Sequence, residues 1–182
     1  MLSLPPLSLY VHIPWCIQKC PYCDFNSHKL NGSIPEDAYI GRLLDDLRAD
    51  LDWVQGRSIE SIFIGGGTPS VMSAAAIQRL MDGIRSQLTL TTDCEVTLEA
   101  NPGTFETEKF SDFVKAGITR LSIGVQSLQQ HQLQALGRIH DPAQARAAAA
   151  HAAQLPLKSF NLDLMHGLPD QTLAQALDDL RQ

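Results

Sequence analysis

The chain has 182 residues, of which 44% are hydrophobic and 19% are charged, and this composition is typical of a globular domain with a substantial core. The net charge of −6 argues against a general nucleic-acid surface. The first six residues lack the pattern of a signal peptide, and no run approaches the roughly 20 apolar residues of a membrane span. We therefore predict a cytoplasmic protein with reduced cysteines, no nucleic-acid partner and no membrane span.

Short apolar runs alternate with stretches of helical periodicity along the chain. The runs predict strands at 7–13, 60–64, 94–100, 120–125 and 159–165, and the periodic stretches predict helices at 36–54, 74–88, 106–116, 142–154 and from 171 onward. Strict alternation without hairpin patterns is typical of parallel strands joined by crossover helices, in an α/β barrel or an open doubly wound sheet. In both architectures ligands bind at the carboxyl edge of the strands, where the polar and glycine-rich motifs fall.

A loop with three cysteines, Cys16, Cys20 and Cys23, follows the first predicted strand at the spacing C-x3-C-x2-C. Three thiolates on one short loop can hold an iron–sulfur cluster and leave its fourth iron open. Structural zinc usually takes four ligands as two C-x2-C pairs, whereas the remaining cysteine, Cys94, lies far along the chain. A disulfide framework cannot pair all three, and a thioredoxin-like pair leaves Cys16 unexplained. The spacing favours a cluster, with zinc as the main alternative.

Several polar or glycine residues lie at or just after the ends of predicted strands. The run Gly65 to Gly67 lets the backbone approach a ligand closely, but it fits neither a P-loop nor G-x-G-x-x-G. A generic turn needs only one or two glycines, so the run favours a functional loop. Asp163 interrupts an apolar run, and a buried carboxylate needs a partner. Arg138 is a candidate partner, so a structural ion pair is an alternative interpretation of both residues.

The histidines and the fourth cysteine are predicted to be structural or exposed. His12 and His166 lie at strand ends, where we expect structural roles, with a functional role as the alternative. Cys94 is predicted to be a buried strand residue. The sequence predicts surface or loop positions for His28, His131, His140 and His151.

The stretch YVHIPWCIQKCPYCDFNS, which begins at Tyr10, resembles the radical S-adenosylmethionine (radical SAM) superfamily. More narrowly, it resembles the oxygen-independent coproporphyrinogen III oxidase-like family, and most of all the heme chaperone branch of that family. The resemblance covers essentially the whole chain and implies a partial (β/α)6-type barrel of parallel strands. Because only about five βα units are present, we expect residues 1–182 to be an incomplete core domain of a longer protein.

The resemblance also implies a set of cofactors and their ligands. The 4Fe-4S cluster would be bound by Cys16, Cys20 and Cys23, and its open iron would chelate SAM, whose reductive cleavage gives a 5′-deoxyadenosyl radical. The remaining implied SAM contacts come from Tyr10 and Tyr22 near the cluster, from the glycine run with Gly66, and from Glu99 to the ribose. In the oxidases a second SAM or substrate site is lined by the residues that correspond to Gly67, Thr68, Gln126, Arg138 and Asp163.

Two functions are implied by the family. An oxidase removes carboxyl groups from the propionates of coproporphyrinogen III, whereas a chaperone binds heme and passes it to an acceptor protein; an electron donor is implied as a further partner. The oxidases carry a fourth cysteine where this chain has Phe25, which favours the chaperone and leaves open whether the chain is an enzyme. The His-Asn heme motif of the chaperones is missing from these residues, so heme binding would need the absent C-terminal region. A bare iron–sulfur module is the third possibility.

Overall fold

The computed structural model describes residues 4–182. The strands are β1 (Leu7–Ile13), β2 (Trp15–Cys16), β3 (His28–Lys29), β4 (Ile59–Gly66), β5 (Leu90–Ala100), β6 (Arg120–Gln126) and β7 (Ser159–Leu164). The helices are α1 (Glu36–Ala49), α2 (Leu51–Val54), α3 (Ala74–Gln87), α4 (Thr104–Thr107), α5 (Phe110–Lys115), α6 (Gln130–Ala135), α7 (Pro142–Ala152) and α8 (Leu173–Arg181), with a 3₁₀ turn at Pro69–Val71.

The main sheet has five parallel strands in the order β1-β4-β5-β6-β7. The order follows the sequence without the reversal that marks a doubly wound sheet, so the predicted partial barrel is confirmed. The five predicted strands all occur, and β1 has the predicted bounds. Strands β2 and β3 form a separate parallel pair that closes the cysteine loop.

Alternation along the strands separates an apolar face of the sheet from a polar face. The apolar face packs against the helices, with fully buried side chains such as Ile64, Leu98 and Leu121. The opposite face, on the inside of the partial barrel, carries hydrogen-bonded polar side chains; Ser122 Oγ, for example, donates to Asp163 Oδ2 at 2.9 Å. A polar inner face is suited to a ligand, whereas a closed barrel fills its interior with branched apolar residues.

Two predicted helices are interrupted in the structure. The helix predicted at 36–54 divides at Asp50, whose N–H is shared between the carbonyls of Asp46 and Leu47 at 3.1 Å each, which tightens the turn. The helix predicted at 106–116 begins earlier, at Thr104, and divides before Phe110. At this break Lys109 turns inward and donates to the backbone carbonyls of Ser70, in the 3₁₀ turn, and Met72, directly after it.

The last helix is held to the sheet by a buried carboxylate. Asp179 of α8 accepts hydrogen bonds from Ser127 Oγ at 2.8 Å and from the Leu128 N–H at 2.9 Å, directly after β6. No helix within residues 4–182 is long and apolar enough to cross a membrane.

Candidate cofactor site

A cavity of about 220 Å³ lies at the carboxyl edge of the sheet, between the cysteine loop and the ends of β4 to β7. Its lining includes the three loop cysteines and every predicted cofactor-binding residue except Tyr10. These residues come together because parallel strands end at the same edge, although they are spread over most of the sequence.

The cysteine loop is fixed by hydrogen bonds from two of its own side chains, Lys19 and Gln18. Lys19 Nζ donates to the carbonyls of Phe25, at 3.2 Å, and Ser27, at 2.9 Å, so the loop closes on itself. A second side chain of the loop, that of Gln18, donates at 3.0 Å to the carbonyl of Gly137, which lies outside the loop. The loop is therefore held against the segment that follows α6.

All three loop thiols are free; Cys16 is buried, and Cys20 and Cys23 are half-buried. In the described part of the chain, no three His, Cys, Asp or Glu side chains lie close enough to share a single metal ion. Zinc needs four ligands on a single ion, whereas each cysteine of an iron–sulfur cluster binds a different iron. Three free thiols that open into the same cavity therefore fit a cluster better than zinc.

The glycine run is required where the cysteine loop packs against the end of β4. At Gly66, where φ is +111°, a Cβ would lie 2.6 Å from the His12 ring, and at Gly67 it would lie 2.6 Å from the Trp15 carbonyl. The N–H groups of Gly67 and Thr68 donate at 2.7 Å to the carbonyls of Ile13 and Trp15. These glycines therefore serve the packing of the loop as well as any ligand.

Glu99 lies at the inner end of the cavity, beside the glycine run. Its Oε2 accepts a 3.0 Å hydrogen bond from the Gly66 N–H. Burial raises the pKa of Glu99, and Asp163 raises it further, while the hydrogen bond from Gly66 and the charge of His12 oppose the shift. With the backbone N–H groups of residues 66–68 already occupied, this end of the cavity offers mainly acceptor oxygens, which suit a ligand with ammonium or hydroxyl donors.

Arg138 and Asp163 do not form the ion pair that was the alternative interpretation of these residues, so that alternative is wrong. Arg138 Nη2 donates to Asn101 Oδ1 and to the Gly124 carbonyl at 2.7 Å each, and Nη1 donates to Cys20 Sγ at 3.5 Å. Asp163 is exposed on the inner face and bonds to Ser122 and Asn161. The prediction failed because β7 is the last strand of the sheet, where a carboxylate on the inner face stays in contact with solvent.

Gln126 is held in an unusual backbone conformation at the end of β6. Its φ is +70°, a left-handed value that costs a residue other than glycine about 1–3 kcal/mol. Its carbonyl accepts the N–H of Met165 at 2.8 Å, and its side chain lines the cavity. Strain at a cavity wall is consistent with a ligand-contacting role.

A sequence profile of the Radical SAM superfamily matches residues 10–180. The chain belongs to the radical SAM superfamily. Membership implies SAM and a 4Fe-4S cluster as cofactors, and both find suitable groups in this cavity: free thiols on one side and acceptor oxygens on the other.

The chain is similar over its whole length to two proteins named heme chaperone HemW. It is 60% identical to the one from Escherichia coli and 59% identical to the one from Haemophilus influenzae, and covers 48% and 49% of these proteins. The structure is similar to that of coproporphyrinogen III oxidase HemN from Escherichia coli, described as a radical SAM enzyme, with a TM-score of 0.87 and 32% identity over 97% of this chain and 41% of that one. The chain thus spans about half the length of the curated relatives it matches.

Tyr10 lies outside the cavity lining of this radical SAM domain, although it is on the same inner face of the sheet. It is 57% exposed and stacks on Phe63, with ring centroids 6.4 Å apart. His12 Nε2 bonds to the Asn26 carbonyl at 2.8 Å, and since a carbonyl only accepts, Nε2 carries the hydrogen. In the neutral imidazole, His12 Nδ1 then accepts from the Tyr10 hydroxyl at 2.9 Å. Through His12, strand β1 is tied to the cysteine loop.

Tyr22 is placed in the cavity between Cys20 and Arg138. Burial, reinforced by Cys20, raises the pKa of Tyr22 to about 12, although the Arg138 charge opposes the shift. Its hydroxyl therefore stays protonated and can donate to a ligand at neutral pH.

Two polar residues beside the site, Asn101 and His140, are not predicted as such from the sequence. Asn101 accepts from Arg138 and donates to Thr68 Oγ1 at 3.4 Å, which joins the ends of β4 and β5. The position of Asn101 just after a strand was the one feature of the sequence that indicated a role at the site. His140 is buried, contrary to the predicted surface position, because the segment after α6 folds over the end of β6 and His140 Nε2 donates to the Val125 carbonyl at 3.0 Å. Burial and the Arg138 charge lower the pKa of His140 to about 4.

Proposed function

We propose that this chain is the cluster-binding and SAM-binding part of a heme chaperone, which as a whole protein binds heme and passes it to an acceptor protein. The observation that carries the proposal is that three free thiols and an acceptor-lined end share one cavity. The chaperone assignment rests on the 60% identity to a heme chaperone over the whole chain.

Cys16, Cys20 and Cys23 are the proposed ligands of the 4Fe-4S cluster. When bound, the cluster supplies one electron and an open iron for SAM. The loop supports this role through its own hydrogen bonds from Lys19, which keep the thiols facing the cavity before the cluster is loaded.

The acceptor-rich end of the cavity is the proposed SAM site. The Glu99 carboxylate, fixed by the Gly66 N–H, would bind the ribose hydroxyls. Backbone carbonyls of the glycine run would face the amino group of SAM, since the neighbouring N–H groups are already bonded. Tyr22 donates from the cluster side, and the residues proposed to contact SAM or a second ligand at the outer end are Tyr10, Gly67, Thr68, Gln126, Arg138 and Asp163.

A coproporphyrinogen III oxidase is the second candidate function. It is favoured by the similarity to HemN at a TM-score of 0.87. Phe25 argues against it, because this residue takes the position of the oxidases' fourth cysteine, is 59% exposed and lines the cavity with an apolar ring. SAM cleavage in either protein needs a low-potential electron donor, and we propose a cytoplasmic location, where thiols stay reduced.

The test uses the natural full chain, loaded with iron and sulfide under anaerobic conditions. Alanine at Cys16, Cys20 or Cys23 should each abolish bound 4Fe-4S, whereas Cys94→Ala, at a buried thiol on β5, should leave it intact. Heme titration followed by its absorption should show stoichiometric binding, and coproporphyrinogen III should remain unconverted in the presence of SAM and a reductant. Conversion to a vinyl product without heme binding would establish the oxidase instead.

A further inference from the structure

Arg138 makes an unusual contact for a cavity residue, because its guanidinium donates to the sulfur of a cluster-loop cysteine. The Nη1 to Cys20 Sγ distance is 3.5 Å. The neighbouring Cys23 sulfur has only a hydroxyl, Ser27 Oγ at 3.9 Å. Among the residues that the structure describes, no side chain bonds to the sulfur of Cys16. Of the three loop sulfurs, that of Cys20 therefore has a charged hydrogen-bond donor, and the other two have none among the described residues.

The guanidinium is held in place by groups that belong to the fold. Both Nη2 hydrogens are used, by Asn101 Oδ1 and by the Gly124 carbonyl at 2.7 Å each. The preceding residue, Gly137, has a φ of +67° and accepts from Gln18 of the cysteine loop. The contact with Cys20 is thus fixed from three directions and does not depend on a flexible side chain.

These hydrogen bonds limit the further contacts that Arg138 can make. With Nη2 saturated and one Nη1 hydrogen on sulfur, two donors remain, one on Nη1 and one on Nε; the latter is buried and has no partner within residues 4–182. A bidentate interaction with a ligand carboxylate through both Nη atoms would break hydrogen bonds that Arg138 already makes. The other nearby cation, Lys19, is bonded to backbone carbonyls of its own loop.

We propose that Arg138 sets the reduction potential of the cluster by donating to the thiolate of Cys20. One-electron reduction adds a negative charge to the cluster, and a fixed cation with a hydrogen bond to a ligand sulfur stabilises the reduced form more than the oxidised form. Arg138 is therefore a positioning residue that acts on the cluster through Cys20. This inference rests on the proposed cluster, held by Cys16, Cys20 and Cys23.

The first test is a potentiometric titration with dithionite, followed by EPR, on the cluster-loaded full chain. At the potential where the wild-type cluster is half reduced, Arg138→Gln should lower the ratio of reduced to oxidised cluster at least tenfold, which corresponds to 59 mV for a one-electron couple. Arg138→Lys should keep the ratio within threefold. The control is Arg120→Gln, which removes the same charge at the other end of β6, where Arg120 bonds to Thr97 and Asn161.

The outcomes separate this inference from the proposed function. An unchanged ratio in Arg138→Gln, or an equal fall in Arg120→Gln, overturns the inference and leaves the cluster proposal standing. If the wild-type chain holds no cluster, both fall. If only Arg138→Gln loses the cluster, pulsed EPR on wild-type protein labelled with ¹⁵N-guanidinium arginine decides. A ¹⁵N coupling to the reduced cluster supports the contact, and its absence overturns it.

Discussion

The backbone N–H of Gly66 donates a 3.0 Å hydrogen bond to Oε2 of Glu99, 33 residues further along the chain. This bond ties the end of β4 to the end of β5 and fixes the orientation of the carboxylate in the cavity. It is the only hydrogen bond to this carboxylate within residues 4–182, so Oε1 remains available to a ligand. The glycine run and Glu99 therefore keep a fixed position relative to each other at the edge of the cavity.

The first prediction concerns the charge of Glu99. Glu99→Gln keeps the shape and the acceptor for Gly66 but removes the negative charge, so the Kd for SAM should rise about tenfold, since a hydrogen bond to a charged group is worth roughly 1.5–3 kcal/mol. Isothermal titration of the cluster-loaded protein measures this change. Glu95→Gln, on the same strand but outside the cavity lining, is the matched control, and an equal loss there would contradict the account.

The affinity for SAM should also depend on pH through the same carboxyl. Burial raises the pKa of Glu99, so protonation, and with it the loss of affinity, begins at a higher pH than for an exposed glutamate. As the pH falls from 7 toward 5, the Kd of the wild-type protein should rise more steeply than that of Glu99→Gln. Parallel pH profiles for the two proteins would exclude Glu99 as the titrating group.

Gly67 should not tolerate a side chain. In Gly67→Ala the new Cβ meets backbone oxygens of Trp15 and Ile13 at 2.6 and 2.9 Å, and backbone cannot move aside as a side-chain tip can. We expect a loss of about 1–3 kcal/mol in the free energy of unfolding together with reduced iron binding. Urea denaturation and iron analysis are the measurements.

The control for this substitution is Gly41→Ala in α1, where the nearest atom is a side-chain nitrogen of Arg79 at 3.8 Å. Alanine is the better helix former, so this change should stabilise the protein by up to about 1 kcal/mol and leave iron binding unaltered. Normal iron content in Gly67→Ala would show that the loop does not depend on this close contact.

His140 should make the stability of the protein depend on pH. Its pKa falls from 6.5 to about 4 on folding, so below pH 6.5 the unfolded chain takes up a proton that the folded chain does not. The free energy of unfolding should therefore fall between pH 6.5 and pH 4, by about 2 kcal/mol at pH 5. In His140→Gln the fall from pH 7 to pH 5 should be smaller by that amount, as measured by urea denaturation. The exposed His131→Gln should behave like the wild type.

The anchor of α8 provides a test of the fold. Asp179→Ala leaves the buried Ser127 hydroxyl and the Leu128 N–H without their acceptor, which should cost about 1–3 kcal/mol. The control is Asp178→Ala. The Asp178 side chain is exposed and bonds only to Gln182 within the described residues, so this change should lower the free energy of unfolding by less than about 0.5 kcal/mol. Equal effects on the denaturation midpoint would show that α8 is not held by this contact.

The main sheet can be predicted from the sequence because each strand is a compact apolar run with a clear stop. Leu7–Ile13, for example, ends at Pro14. Strands β2 and β3 cannot be predicted in this way, since two residues carry no periodic pattern and their pairing follows from closure of the cysteine loop. Helix α6 cannot be predicted either, because it is short and polar and carries no periodic apolar pattern.

The cavity is less predictable than the sheet. Spacing identifies the cysteine loop, and strand ends identify Glu99 and Gln126. The bond between Arg138 and Cys20 joins residues 118 positions apart and depends on how the segment after α6 packs on the loop. The burial of His140 depends on the same packing, which no local pattern in the sequence encodes.

We propose above all that Cys16, Cys20 and Cys23 hold a 4Fe-4S cluster whose open iron binds SAM. The most direct test is the EPR spectrum of the reduced, anaerobically loaded protein, recorded before and after SAM is added. We expect a reduced-cluster spectrum that changes when SAM is added, and we expect the same change in Cys94→Ala. A cluster spectrum that does not change with SAM would contradict SAM binding at the open iron and leave only an iron–sulfur binding module.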